Sequence, residues 1–370
     1  MSIERIELRH VRIPYIFPFE TSVDRDEAKD CLIVRAWVDG LEGWGESPVT
    51  MKPYYKEETV ETAWSILTGF VIPRAVGRTL DHPQEAAEWV APVRRHYLAK
   101  AGLEAALWDV HAQRQGVSLA AALGGTRTKV AVGMSVGIEP TIDAVLARID
   151  TWLAQGYQRI KVKIKPGFDL PLVRAIRDRF GGIRLQVDAN TAYSLRDLPR
   201  LRELDDFDLM MIEQPLDHDD IIDHATLQRA LRTPICLDES IDSGEDARKA
   251  IELGACKIIN IKTARMGGLS EGLRCHAICQ ARGVPVWCGG FLETGIGRAA
   301  NIAIASLPNF TLPADLGASR RYFHEDIIEP WVEVNRDGTV DVPTGPGLGF
   351  AVVERLVDKY TVRKETFRAT

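Results

Sequence analysis

YQRIKVKIK (157–165), GIRLQVDAN (182–190), DLMMIEQP (208–215), TPICLDES (233–240) and CKIINIK (256–262) follow one another at a near-constant spacing. Each is an apolar, β-branched run that closes on a charged side chain: Lys163, Asp188, Glu213, Asp238 and Lys262. The steps between these residues are 25, 25, 25 and 24. Segments with helical spacing fill the neighbouring intervals, at 170–180, 223–231, 244–253 and 269–282. Strand–helix alternation with this period reads as βα units around a parallel sheet. VAVGMSVG (130–137) on one side and VPVWCGGF (284–291) on the other bring the strands to at least seven. That exceeds the usual open sheet and points to a TIM-type barrel spanning 130–316.

Residues 1–129 read as a small α+β unit. Strands are expected at 3–13, 31–38 and 42–46, and helices at 59–70, 83–93 and 100–115. The remainder, 317–370, contains an alternating stretch at 331–335, a turn at Asp337-Gly338 and the segment PTGPGLG (343–349). It reads as strands and loops that return to pack on the first unit.

The composition is that of a globular protein: 45% hydrophobic and 26% charged residues in a 370-residue chain. A net charge of -6 disfavours nucleic acid and anionic membranes as partners. No apolar stretch reaches the roughly 18 residues needed to span a bilayer. The first twelve residues lack the apolar core of a signal peptide, so a cytoplasmic location is expected. Six cysteines, Cys31, Cys236, Cys256, Cys275, Cys279 and Cys288, form no C-x-x-C pair and read as buried free thiols. Cys275 and Cys279 share a helix face, but zinc would need a second pair.

In a βα barrel the residue ending each strand lies at the mouth, where active sites form. A single acidic residue there is commonly a helix cap or a surface charge. Five in register, each after an apolar strand, need another explanation, because buried charges must be paired or bind a metal. Three adjacent carboxylates repel unless a cation joins them, and an all-oxygen set suits a hard divalent ion. Lys163 and Lys262 stand at opposite ends of the series, hence across the mouth from each other. A carboxylate substrate on the ion acquires a more acidic α-carbon through an enediolate. A lysine crowded by cations has a pKa drawn toward neutrality and can take that proton. A second amine on the other face returns one, giving racemisation or epimerisation. A β-leaving group would give elimination instead.

These residues resemble the enolase superfamily of the muconate-lactonising-enzyme type, whose K-x-K motif corresponds to Lys161-Val162-Lys163. RIKVKI, LQVDANTAY, IEQPL, TPICLDES, PVWCGGFLETGIGRAAN and ASLPNFTLPAD extend the resemblance over nearly the whole chain. It is nearest to the N-succinylamino acid racemase / o-succinylbenzoate synthase group. The resemblance implies an α/β fold, a modified TIM barrel (β/α)7β with an α+β capping domain, divided as 1–129, 130–316 and 317–370. It implies Mg2+, with Mn2+ or another divalent ion as substitute, on Asp188, Glu213 and Asp238. Lys163 and Lys262 become the acid/base pair. Lys161, on the same strand face as Lys163, becomes a partner of the substrate carboxylate.

Asn190, Ser135, Gly289, Gly290 and Glu293 are expected to line the substrate pocket, the glycines by bringing backbone N–H groups to a ligand oxygen. Glu239 and Arg265 are expected to support the ligands and to tune Lys262. Phe19, within FPFETS (17–22), would press on the substrate, and Met51 and Tyr54 belong to a second capping loop at 48–55. A homo-oligomer acting on a small-molecule carboxylate is implied. The activity implied is racemisation of N-succinyl amino acids with syn dehydration to o-succinylbenzoate in the same site. The alternatives are the synthase alone, a muconate cycloisomerase, a dipeptide epimerase and a metal-binding barrel without catalysis. An epimerase would carry D-x-D at the eighth strand, where CGGFLET is read here.

Overall fold

The computed structural model describes residues 1–20 and 25–369, apart from the side chains of Phe19 and Glu20. The N-terminal part is an antiparallel sheet. β1 (Ile3–Glu20) pairs with β2 (Arg25–Val38), β2 pairs with β3 (Leu41–Ser47), and the C-terminal strand Thr361–Arg368 lies along the other edge of β1. Strand alternation gives the sheet two apolar faces. Ile6, Leu8, Val34 and Ala36 pack under helix α1 (Tyr97–Arg114), whereas Val11, Ile13, Cys31 and Ile33 join the barrel core. β1 and β2 run beyond the expected 13 and 31. Their added lengths carry prolines and charges and are held by hairpin pairing, as in Pro14 with Ala28, not by an apolar pattern. α1 crosses β3 so closely that a Cβ on Gly45 would lie 2.0 Å from the Gly102 carbonyl oxygen, which only glycine tolerates.

The barrel strands are β4 (Gly133–Val136), β5 (Arg159–Lys163), β6 (Leu185–Asp188), β7 (Met211–Glu213), β8 (Ile235–Leu237), β9 (Ile258–Ile261) and β10 (Val286–Cys288). They form one parallel sheet in sequence order. Helices link them, from Ile142–Ala154 to Gly295–Ala305. Residues 310–315 close the ring: Phe310 bridges Val286 and Ala314 bridges Val132, both parallel. The Ala314 and Asp315 N–H groups donate to Ala131 and Cys288 at 2.9 Å each. The fold is a closed (β/α)7β barrel with an α+β cap. CGGFLET (288–294) is therefore the end of β10 and the loop after it, not the eighth strand. The true eighth strand, FTLPAD, contains Pro313 and makes only isolated bridges, so it carries no periodic signal.

Two carboxylates of the cap hold it to the barrel. Glu104 on α1 accepts the N–H groups of Leu269 and Ser270 at 2.7 and 2.9 Å. Glu46 on β3 accepts those of Thr294 and Gly297 at 3.0 Å each. Both sit at N-termini of barrel helices, where free donors and the helix dipole favour an anion. The expected strand at 331–335 is absent. Its backbone is taken up by Ser319 and by the turn to Thr339, while helix Glu354–Tyr360 appears unforeseen in the tail. All six cysteines are free and buried. Among the described residues no helix is long and apolar enough to cross a membrane.

Candidate functional site

Strand register assembles the mouth. Lys163 is the cross-strand partner of Asp188, and Asp188 of Glu213. Asp238 and Lys262 each follow their strand by one residue. The three carboxylates are at most 1% exposed. Lys163 Nζ donates to Asp188 Oδ2 at 2.7 Å and also to Asn190 Oδ1. Lys262 Nζ donates to Asp238 Oδ2 at 2.8 Å. Lys161 Nζ reaches Glu213, Asp188 and Asp315 at 3.2, 3.3 and 2.8 Å. The two lysines thus flank the acidic trio from its two ends, with Lys161 between them and deeper.

The charges explain the titration of the trio. Burial pushes Glu213 up to about 8, Asp188 adds to this, and Lys161 only partly offsets it. Burial also acts on Asp188, but Lys163 and Lys161 outweigh it and hold that carboxyl below its ordinary range. Asp238 lies well below that range because Lys262 and Arg265 overcome its burial. Glu213 is further held by Gln186 Nε2 at 2.6 Å and Asn260 Nδ2 at 2.9 Å. Three dry carboxylates, one of them short of positive charge, form an all-oxygen donor set fit for a hard divalent ion. Each is turned toward a lysine. Among the described residues, the group with ligand atoms all within 4.8 Å of one another is instead Asp217, His218 and Asp219, which is exposed.

Surrounding side chains fall into place around this centre. Asn190 Nδ2 donates to Glu239 Oε1 at 2.9 Å, which fixes its carbonyl oxygen toward Lys163. Glu239 Oε2 is buried with no hydrogen-bond partner among the described residues, and burial together with Asp238 and Asp188 raises its carboxyl to about 7. Arg265, fully buried, grips Asp238 Oδ1 and the carbonyls of Ile241 and Asn260. Asn190 and Gln214 hold positive φ angles of 41° and 37°, strained backbone of the kind concentrated at functional sites. Gln214 Oε1 accepts the Asp238 N–H at 3.0 Å.

A cavity of about 160 Å³ opens onto this centre and includes Lys163, Lys262, Ser135, Gly290, Glu293 and Asp315. Gly289 departs from expectation. Its N–H is spent on Asn260 Oδ1 at 2.8 Å, and its lack of a Cβ makes room for the Asn260 amide. Met51 does not line the cavity and is 44% exposed, because its loop turns Tyr55 inward instead. Tyr54 lines the rim. The expectation for Phe19 concerns a side chain outside the described residues.

Tyr55 and Asp315 are the residues that sequence reasoning missed. The Tyr55 hydroxyl donates to Asp238 Oδ2 at 3.0 Å and accepts from Lys262 Nζ. Asp315, on the closing strand, accepts from Ser135 Oγ at 3.2 Å and Arg159 Nη2 at 2.7 Å. It continues the row of acidic strand ends, a signal hidden by the irregular strand before it.

Residues 4–124 match the mandelate racemase / muconate lactonizing enzyme N-terminal domain, and residues 144–356 the enolase C-terminal domain-like family. The chain belongs to the enolase superfamily. Enzymes of this superfamily depend on a divalent metal ion. The chain is 51% identical to an o-succinylbenzoate synthase of Geobacillus kaustophilus, over 100% of this chain and 99% of the relative. It is 46% identical to an N-succinylamino acid racemase of Thermus thermophilus, over 98% of each. A crystal structure of an enolase-superfamily member from Listeria innocua superposes with a TM-score of 0.96 at 39% identity, covering 100% of this chain and 99% of the other. Like these relatives, this superfamily member is an enzyme.

Proposed function

We propose that this enzyme racemises N-succinyl amino acids and, in the same site, dehydrates the hydroxy-acid precursor of o-succinylbenzoate. What supports both activities is the pair of relatives, each aligned over almost the whole chain. The single observation that carries the chemistry is the pair of amines, Lys163 and Lys262, hydrogen-bonded to opposite ends of one buried carboxylate trio.

Asp188, Glu213 and Asp238 would hold Mg2+, whose charge, once bound, withdraws electrons from a substrate carboxylate and acidifies the adjacent carbon. Lys163 removes the α-proton from one face, and Lys262 delivers a proton to the other. The roles exchange for the opposite enantiomer. In the dehydration one lysine serves as base and then as acid to the departing hydroxyl on the same face. The other stays cationic and stabilises the developing negative charge. Asn190, oriented by Glu239, steadies Lys163, while Arg265 holds Asp238 against Lys262. The loop carrying Tyr55 closes the mouth and excludes water.

Dipeptide epimerisation lacks support, because Pro313 and Gly317 flank Asp315 where a D-x-D pair would need a second aspartate. The test is proton NMR of N-succinyl-phenylalanine in D2O with Mg2+. Loss of the α-proton signal, with the opposite enantiomer accumulating, is expected. No exchange over a panel of N-acyl amino acids would return the protein to a metal-binding barrel without catalysis.

A further inference from the structure

Phe291 forms part of the wall beside Lys262. Its ring centroid lies 5.0 Å from Lys262 Nζ, and the ring packs edge-on against Tyr55 at 5.6 Å. Phe291 belongs to the stretch 289–294, which links β10 to helix Gly295–Ala305 without regular structure. Leu292, the next residue, holds a φ of 56°. Leucine has no polar side chain to favour that left-handed conformation, as Asn and Asp do, so contacts around the loop must hold it there.

Those contacts come from both parts of the molecule. The barrel supplies Asn260, which accepts the Gly289 N–H at 2.8 Å, and Arg298, whose Nη2 donates to the Glu293 carbonyl at 2.9 Å. The cap supplies Glu46, which accepts the Thr294 N–H, and Lys29, whose Nζ donates to the Phe291 carbonyl at 2.9 Å. Lys29 lies on β2, where alternate residues Lys29, Cys31 and Ile33 face the barrel. It is 2% exposed. An ammonium buried in such an apolar row is costly unless it is paired. Here Glu46 attracts its charge and the Phe291 carbonyl takes its hydrogen bond. That carbonyl belongs to the residue whose ring meets Lys262, and it immediately precedes the strained Leu292.

We propose that Lys29 is a positioning residue for proton transfer by Lys262, acting from the cap through Phe291. By tying the Phe291 carbonyl it holds Leu292 at positive φ and keeps the Phe291 ring against Lys262. With that bond gone, Leu292 relaxes to negative φ, the ring turns away and the amine loses one side of its wall. Lys163 stands at the other end of the carboxylate trio, held by Asp188 and Asn190, and its placement does not pass through this loop. The inference rests on the proposed function for the role of Lys262.

The test is α-proton exchange in D2O, with Mg2+ and saturating substrate, of each pure enantiomer of N-succinyl-phenylalanine. Wild type, Lys29→Met, Phe291→Ala and the double variant are compared, and Lys262→Ala marks the enantiomer that depends on Lys262. A shift of about 1 Å in a reacting group can cost about 100-fold, so Lys29→Met should slow that enantiomer about tenfold or more and the other less than about twofold. Phe291→Ala should do the same, and Lys29→Met should add less than about twofold to it, because both act through one ring. A lysine that merely stabilises the fold would slow both enantiomers alike. That result, no slowing of either, or effects that multiply in the double variant overturns the proposal. If Lys29→Met does not fold, Lys29→Gln takes its place with the same expected outcome. Crystal structures of wild type and the Lys29 variant separate this proposal from the proposed function. Leu292 should leave positive φ in the variant, and an unmoved loop overturns the proposal whatever the activity. A displaced loop, in a protein whose wild type exchanges no α-proton, would sink the proposed function and leave the hold of Lys29 on the loop intact.

Discussion

Replacing Tyr55 by phenylalanine should slow α-proton exchange of one enantiomer and spare that of the other. The substitution removes a hydroxyl and leaves the ring, which packs edge-on against Phe291 at 5.6 Å and lies 4.8 Å from Lys262 Nζ. The hydroxyl links Lys262 to Asp238 Oδ2. A hydrogen bond to a charged group contributes about 1.5–3 kcal/mol. Losing the lower end of that range from the transition state of proton transfer by Lys262 slows it about tenfold. Lys163 is held by Asp188 and Asn190 and has no bond to Tyr55, so transfer through Lys163 should change little. The assay follows α-proton loss in D2O from each pure enantiomer. Lys262→Ala identifies which enantiomer depends on Lys262, because that one stops exchanging. Tyr55→Phe should then slow the same enantiomer. Equal slowing of both, or of neither, would refute a one-sided hold on Lys262.

Lys163→Ala and Lys262→Ala should each abolish racemisation yet retain exchange of opposite enantiomers, which chiral chromatography of the deuterated products will reveal. Chelation of divalent ions should abolish exchange, and added Mg2+ should restore it. Glu104→Ala leaves the N–H groups of Leu269 and Ser270 and the Ser270 hydroxyl without their acceptor. At about 1 kcal/mol or more for each, urea unfolding should register a loss of about 3 kcal/mol or more. Glu46 is raised from 4.5 to about 7 by burial, with Lys29 opposing and Glu293 adding. The folded state therefore holds this proton more tightly than the unfolded chain. Its contribution is full below the unfolded value and is lost as pH climbs through the folded one. Relative to Glu46→Gln, wild type should lose at most about 3 kcal/mol of stability between about pH 5 and about pH 8. A difference that does not vary with pH would contradict the burial argument.

The alternation of apolar runs and helices, with charges one period apart, was enough to specify a barrel and the five residues at its rim. Strand parity is local: once a run is a strand, residues two apart share a face, and the last one meets the mouth. That is why Lys161, Lys163, Asp188, Glu213, Asp238 and Lys262 were legible together. The cap was legible where apolar alternation existed and illegible where charged and proline-bearing residues extend β1 and β2 through pairing alone.

Tertiary structure decided the rest. Tyr55 meets Lys262 across 207 residues of chain, and Arg321 meets Ser135 across 186. Asp315 reaches the rim from a strand too irregular to announce itself. No local periodicity encodes such meetings, because they depend on how the barrel closes and how the cap settles on it. Chain order alone placed the charged groups at the ends of successive strands. Only the closed ring settled which side chains surround them.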